Sequence, residues 1–180
     1  MPSKKTSTAD KSLYAWAVLR ISLGFTFLWA FFDKLYGLGF STCRDAKTQV
    51  ITHGCKAAWI KGASPTKGFL EHATKGPFAH VFQNLSGHVW VDTLFMTGLL
   101  GLGIALTLGI GMRIAVVTGS ILLLFMWSAA LWPATNPFLD DHLIYIVILL
   151  GLLWSNKQQK WGLRNWWVKQ DVVKRLPILE

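Results

Sequence analysis

Charge is scarce in this sequence. Only 15% of its 180 residues are charged and only nine are acidic, whereas 52% are hydrophobic and ten are tryptophan. In soluble domains about a quarter of the residues are charged, because such residues face water. The shortage excludes an ordinary soluble domain and predicts a membrane protein.

The signatures of several common enzyme classes are also missing. The sequence contains no P-loop, no dinucleotide-binding fingerprint after a strand, and no serine, histidine and acid motif. It also has no basic segment interleaved with aromatic residues of the nucleic-acid-binding kind, although its net charge is +9. We therefore expect no nucleic-acid partner, and we expect any redox cofactor that supplies electrons to lie outside this chain.

Long apolar segments are what the sequence has instead. Three come close to or exceed the roughly 20 residues that cross a bilayer, and a fourth does so only if Asp140, Asp141 and His142 lie in its first turns. The sequence thus predicts an all-α membrane protein built as a four-transmembrane-helix bundle in a lipid bilayer. Its expected spans are residues 13–36, 89–111, 114–132 and 137–155.

The segments outside the spans complete the expected architecture. Residues 41–87 should form an external loop with short helices, because Pro65 and Pro77 suit the first position of a helix. Residues 1–12 and 156–180 are basic, which predicts that both termini are cytoplasmic in a multi-pass membrane protein. The C-terminal segment should lie at the membrane interface or, alternatively, dock a cytoplasmic partner.

The sequence has only two cysteines, Cys43 and Cys55, and both fall in the external loop. Thiols outside the cytoplasm are readily oxidised, so we expect a structural disulfide. The alternative is an electron or sulfur relay, although the spacing is not the CxxC of a thioredoxin-like pair.

Several polar side chains are expected at one depth near the external face. The spans alternate in direction, so the end of the first and the starts of the second and fourth meet at this level. The candidate catalytic residues there are Asp33, Lys34, Asp92, Asp141 and His142. Arg20 falls about 20 Å away, near the other end of the first span. The alternative is that the charges neutralise one another, while Asn136, Pro137 and Asp140 start the fourth helix.

A quinone site is the chemistry that these residues fit. A quinone head group needs an apolar slot, a hydrogen-bond donor and a proton supply; Trp127 and Tyr145 could line the slot, and Lys34 or His142 could donate. One alternative is a metal site made of His88, Asp92, Asp141 and His142. Another is a haem held by His88 and His142. We expect neither a bound metal nor a haem, because His88 lies at the very end of its helix and the other ligands come from separate spans.

Three motifs carry a resemblance to a known family. They are LRISLGFTFLWAFFDKLYGLGF (19–40), AWIKGASPTKGFL (58–70) and NPFLDDHLIYIVILLGL (136–152), in this order and separated by a glycine-rich span. With them the chain resembles the DoxX/DoxD family of small four-helix membrane proteins over most of residues 13–168. The family includes the membrane subunit of thiosulfate:quinone oxidoreductase, which oxidises thiosulfate to tetrathionate and passes electrons to quinones. The matching polar positions are Arg20, Asp33, Lys34, Ser64, Thr66, Lys67, Asn136, Asp140, Asp141 and His142.

The resemblance implies a redox subunit of the plasma membrane with quinone as its electron acceptor. Its expected partners are a second redox subunit or further copies of itself in a homo-oligomer. The expected substrate-binding residues are Arg20, Lys67, Trp127 and Tyr145. Lys34 and Lys67 would attract an anionic sulfur compound, while Asp141 and His142 would relay protons. The competing expectation is a non-catalytic membrane scaffold that holds a soluble redox or thiol-stress partner.

Overall fold

A computed structural model describes residues 8–134 and 136–180, with side chains from residue 11 onward. Residues 1–7 of the expected N-terminal tail, and Thr135, lie outside the described residues. The helices are α1 (Thr8–Tyr36), α2 (Lys67–His72), α3 (Ala79–Gln83), α4 (Val89–Leu108), α5 (Met112–Ala129), α6 (Asp141–Ser155), α7 (Arg164–Trp167) and α8 (Asp171–Arg175). Single 3-10 turns lie at Trp59–Lys61, Gly76–Phe78, Asn156–Gln158 and Pro177–Leu179. The described residues contain no strand, so the expected all-α class is confirmed.

Three of the helices are long and apolar enough to cross a membrane. They are Lys11–Tyr36 within α1, α4 and α5, with mean hydropathies of 1.6, 1.7 and 1.7. Only 33% of the most apolar window of each helix is buried, so most of that apolar surface faces outward, where lipid suits it better than water. The expected fourth span contains α6, which has only 15 residues. Such a helix is about 22 Å long, short of a hydrocarbon layer of about 30 Å.

The start of α6 differs from the expectation. We expected Asn136 to cap a helix that begins at Pro137, but the helix begins at Asp141 and its capping residue is Asp140. The Asp140 carboxylate accepts two amides of the first turn at 3.0 and 3.3 Å. Asn136 also accepts two amides, both at 2.9 Å, but they close a turn that precedes the helix. An Asx side chain can serve either purpose, and here the one directly before the apolar run caps it.

The turn between α4 and α5 lies earlier than expected. α4 ends at Leu108, and Gly109 and Gly111 follow with φ values of 69° and 57°. Glycine adopts such positive φ values without a steric cost. The Gly109 amide donates to the Ala105 carbonyl at 2.8 Å. A glycine in the left-handed conformation thus terminates α4. Arg113, which we expected in the turn, lies in the first turn of α5 instead.

The four long helices enclose one apolar core. α1 packs against α4, α4 against α5, α5 against α6, and α6 against α1. The side chains of Met96, Leu106 and Leu149 are fully buried at the centre of this bundle. α1 and α4 approach so closely that a methyl group on Gly103 would lie 2.9 Å from the backbone nitrogen of Leu28. Small residues permit such contacts between membrane helices.

Gly103→Ala should separate α1 from α4 and destabilise the bundle by about 1–3 kcal/mol, because backbone atoms cannot move aside as a side chain can. Gly101→Ala is the matched control, since a Cβ there meets nothing within 4 Å. That change should be neutral or stabilising by up to about 1 kcal/mol. Thermal unfolding of both variants in detergent, followed by circular dichroism, checks the pair. Equal midpoints would contradict the close approach of the two helices.

Candidate functional site

Asp33 joins the end of α1 to the loop that follows it. Its carboxylate is 1% exposed and accepts the amides of Phe40, Ser41 and Thr42 at 3.0, 2.9 and 2.9 Å. It also accepts the Ser41 hydroxyl at 2.8 Å, and the neighbouring Lys34 ammonium donates to that hydroxyl at 3.1 Å. Four donors satisfy a buried carboxylate well. We call this arrangement the Asp33 anchor.

A disulfide closes the loop beyond the Asp33 anchor. Cys43 and Cys55 are bonded, and an antiparallel bridge between Arg44 and Ile51 lies within the closed loop. The tip is a turn around Asp45, whose carboxylate accepts the Thr48 amide at 2.7 Å. The Thr48 amide and hydroxyl and a further amide hold the pKa of the exposed Asp45 carboxyl below its usual range. The loop is thus an ordered element and not a flexible linker.

Asp92 holds a second part of the connecting loop, which comprises residues 37–88. Its side chain lies in the first turn of α4 and is 5% exposed. One carboxylate oxygen accepts the Ser64 hydroxyl at 2.8 Å, the Thr66 hydroxyl at 2.6 Å and the Thr66 amide at 3.2 Å. These contacts, the Asp92 anchor, fix the start of α2 on the start of α4. A third tie runs from the Lys75 amide to the Ala129 carbonyl at the end of α5, at 2.9 Å.

Asp140 and His142 form a hydrogen-bonded pair at the start of α6. One Asp140 carboxylate oxygen lies 2.7 Å from Nδ1 of His142, while the other caps the helix. The side chain of Asp140 is 18% exposed and that of His142 is 24% exposed, so solvent reaches the pair although most of its surface is covered. A carboxylate that accepts from Nδ1 fixes the tautomer and leaves Nε2 as the nitrogen that exchanges protons with water or a ligand. We call this pair the Asp140–His142 dyad.

The five expected catalytic residues do not share one network. Asp33 and Lys34 belong to the first anchor and Asp92 to the second, while His142 pairs with Asp140. Asp141 is exposed, and within the described part of the chain its carboxylate makes no hydrogen bond or ion pair. The described residues also contain no group of three or more His, Cys, Asp and Glu side chains that could hold a metal ion. The common depth of these residues therefore does not bring them into contact.

Arg20, an expected substrate-binding residue, is occupied by backbone carbonyls at the opposite end of the bundle. Its guanidinium is 2% exposed and donates to the carbonyls of Leu106 and Thr107 at 2.5 and 3.2 Å. It also donates to the carbonyls of Lys160 and Trp161 at 3.3 and 2.9 Å. The first pair belongs to the last turn of α4, where the helix dipole favours a cation. Arg20 thus closes the end of α4 and secures the chain beyond α6.

The other expected substrate-binding residues lie at the loop end of the bundle. The Trp127 indole donates to the Phe138 carbonyl at 3.0 Å, and the two rings meet edge to face with centroids 5.3 Å apart. Tyr145 is half-buried against the core and lies one helical turn after His142. Lys67 is exposed, and its ammonium lies 3.9 Å from the Glu71 carboxylate. Of this set, only Tyr145 shares a helical face with the dyad.

Sequence reasoning missed the partners of two carboxylates. Ser64 and Thr66 were expected to be functional, yet nothing in their spacing tied them to Asp92, which lies 26 positions after Thr66. The sequence offered Asp140 as a residue that starts the fourth helix and as a position that matches the family, but not as a partner of His142. An aspartate two residues before a histidine can both cap a helix and reach the imidazole. That local spacing was the available signal.

Comparison with protein-family models, curated proteins and solved structures finds no match for the chain.

Asp33→Asn and Asp92→Asn should each destabilise the protein by about 2–4 kcal/mol, because each removes charge-assisted hydrogen bonds from a buried site. Asp141→Asn is the matched control and should leave stability unchanged, since that carboxylate is exposed and unbonded among the described residues. Thermal unfolding in detergent and limited proteolysis of the connecting loop measure the effect. Unchanged stability of the two anchor variants would return Asp33 and Asp92 to the catalytic candidates.

A Cys43→Ser and Cys55→Ser double variant should loosen residues 43–55 while the bundle stays folded. Opening a closed loop of this size costs up to about 3 kcal/mol. Hydrogen exchange should therefore rise at the amides of this loop and stay unchanged in α4 and α5. A folded double variant with unchanged loop protection but no redox turnover would instead support the relay interpretation of the two cysteines.

Proposed function

We propose that this chain is a membrane redox protein, the quinone-linked membrane subunit of a thiosulfate:quinone oxidoreductase-like system of the DoxX/DoxD type. The observation that supports the proposal is the Asp140–His142 dyad. It places a proton-exchanging imidazole at the end of an apolar bundle, where a quinone dissolved in the bilayer can reach it. Tyr145, on the same helical face, adds an aromatic surface for the quinone ring.

The proposal assigns separate roles to the two residues of the dyad. His142 delivers a proton from its ring to a quinone oxygen and is recharged from water, since its side chain is partly exposed. Asp140 is a positioning residue, because one of its carboxylate oxygens fixes the imidazole and the other caps the helix. Asp33, Lys34 and Asp92 leave the catalytic set and hold the connecting loop in place. Asp141 has no assigned role.

In the proposed reaction, the electrons lost by thiosulfate equal those gained by the quinone. Two thiosulfate ions lose two electrons in total as a sulfur–sulfur bond joins them into tetrathionate. One quinone gains these two electrons and two protons and becomes a quinol. A second redox subunit carries the electrons between them, and the exposed Lys67 attracts the thiosulfate anion to the loop end.

The proposal also includes an arrangement in the membrane. α6 serves as a fourth, short pass next to the three longer helices, because it is apolar from residue 143 to residue 154 and closes the bundle. Both termini face the cytoplasm in a plasma membrane. The basic residues around α7 and α8 support this orientation, since positive charge favours the cytoplasmic side.

His142→Gln should lower thiosulfate-dependent quinone reduction by about 100-fold or more, because glutamine retains hydrogen bonding but cannot exchange a proton. Asp140→Asn should lower kcat by about tenfold with little change in KM, since it disturbs only the orientation of the ring. The assay follows quinol formation by purified protein, reconstituted with membrane partners that co-purify with it. The thermal midpoint of each variant should be measured alongside turnover.

Asp141→Asn supplies the control for these variants, because it removes a neighbouring carboxylate that bonds to nothing among the described residues. Its turnover should equal that of the wild type. If folded His142→Gln retains full turnover, His142 is not part of the mechanism. Absence of turnover in the wild type with its co-purifying partners would overturn the enzymatic proposal.

A second candidate function is a membrane scaffold for a soluble redox partner. It is favoured by the fact that Asp33 and Asp92, which the sequence offered for catalysis, are both used to order the connecting loop. That loop exposes apolar side chains, including Val50 and Ile60, on a rigid base. If the chain is a scaffold, the wild type should co-purify with its partner and the double variant Val50→Ser and Ile60→Ser should not. His142→Gln should bind the partner as the wild type does.

A further inference from the structure

A large apolar groove runs between α4 and α5 on the outer surface of the bundle. Its volume is about 490 Å³, and Leu94, Gly101, Ala105, Ile114 and Trp167 are among the residues that line it. It is open because a Cβ on Gly101 would meet nothing within 4 Å. The two threonines that line the groove donate their hydroxyls to carbonyls of their own helices, which leaves the surface apolar. An apolar occupant therefore fits this groove best.

The groove follows most of the length of α4. It extends from Leu94 past the end of the helix to Ile110 and Gly111, and α4 itself rises by about 21 Å between Leu94 and Leu108. The groove thus offers a long apolar surface that accommodates an extended hydrocarbon chain.

Trp167 fixes one end of the groove at the level of lipid headgroups. Its indole donates to the Leu179 carbonyl at 2.7 Å, which holds the ring in place. The adjoining Trp166 is 56% exposed, and Leu163 is exposed as well. Tryptophan and basic residues together are typical of the interface between hydrocarbon and water. The opposite end of the groove, at Leu94, lies near the loop end of α4, two residues after Asp92.

Positive charge surrounds the Trp167 end. Arg113 and Arg164 both bond to the Glu180 carboxylate, so their charge is partly compensated. Lys169, two residues after Trp167, is exposed and makes no ion pair among the described residues. A phosphate group at this level would therefore find an uncompensated cation. Neutral and anionic phospholipids have the same hydrocarbon chains, so this charge is what distinguishes them.

We propose that the groove between α4 and α5 binds one acyl chain of an anionic phospholipid whose phosphate group contacts Lys169. The site is independent of the dyad, since it lies between α4 and α5 and its Trp167 end is at the opposite end of the bundle. It requires no change in the fold, because the groove is already open. The bound lipid would fill the space beside Gly101 and join the segment 164–180 to the membrane.

Native mass spectrometry of the delipidated full-length protein tests the proposal, with phosphatidylglycerol and phosphatidylcholine of identical chains as probes. The wild type should bind one phosphatidylglycerol at least about fivefold more tightly than phosphatidylcholine, as expected for one cation at the surface. Gly101→Leu should weaken both lipids about tenfold by filling the groove. Lys169→Gln should remove the preference by weakening phosphatidylglycerol binding more than phosphatidylcholine binding.

Two control variants match these changes elsewhere on the protein. Val147→Phe adds the same number of carbon atoms to a residue of α6 that is 68% exposed, and Lys47→Gln removes an exposed charge from the connecting loop. Neither should change the affinity for either lipid. Equal binding of the two lipids by the wild type, or undiminished binding by folded Gly101→Leu, would overturn the proposal. So would a protein dimer that Gly101→Leu dissociates while no lipid is retained.

Discussion

A buried carboxylate that accepts hydrogen bonds from loop amides is the interaction on which the loop end of this protein depends. Asp33 and Asp92 each lie near the end of a helix that is suited to a membrane. An unpaired charge there would be expensive, so each carboxylate needs donors. The connecting loop supplies amides and hydroxyls, and in return its own polar groups are satisfied. The loop and the helix ends therefore stabilise each other, and neither would be stable in this form alone.

At the opposite end of the bundle a buried positive charge is likewise satisfied by backbone groups, which here are carbonyl acceptors. There the buried charge is the guanidinium of Arg20, and its partners are carbonyls at the end of α4 and in the chain after α6. Helix ends leave carbonyls without partners within the helix, so a single cation can satisfy several of them. One arginine thus connects α1, α4 and the C-terminal segment with no acidic partner among the residues that the structure describes. This explains how the chain tolerates a charge within an apolar helix.

The sequence predicted the helical class, three of the long helices and an ordered loop, because hydrophobic length and turn residues are local signals. It did not predict the grouping of the polar residues. Depth along a helix follows from counting residues, whereas contact also depends on the direction of each side chain and on competing donors from the loop. Asp92 meets Thr66 because the loop folds back, which no local pattern encodes. The start of α6 was misplaced since Asn136 and Asp140 offer equivalent caps, and only packing selects between them.

The division of the polar residues between structure and chemistry follows from how completely their atoms are bonded. The carboxylate of Asp33 is 1% exposed and accepts from four donors, so it has no access to a substrate. His142 differs, because one ring nitrogen is fixed by Asp140 while the side chain remains partly exposed. A residue that is held firmly on one side and open on the other combines fixed orientation with access. Within the expected catalytic set this property belongs to His142. Its orientation comes from Asp140, which the sequence offered as a helix-starting residue and not as a partner of the imidazole.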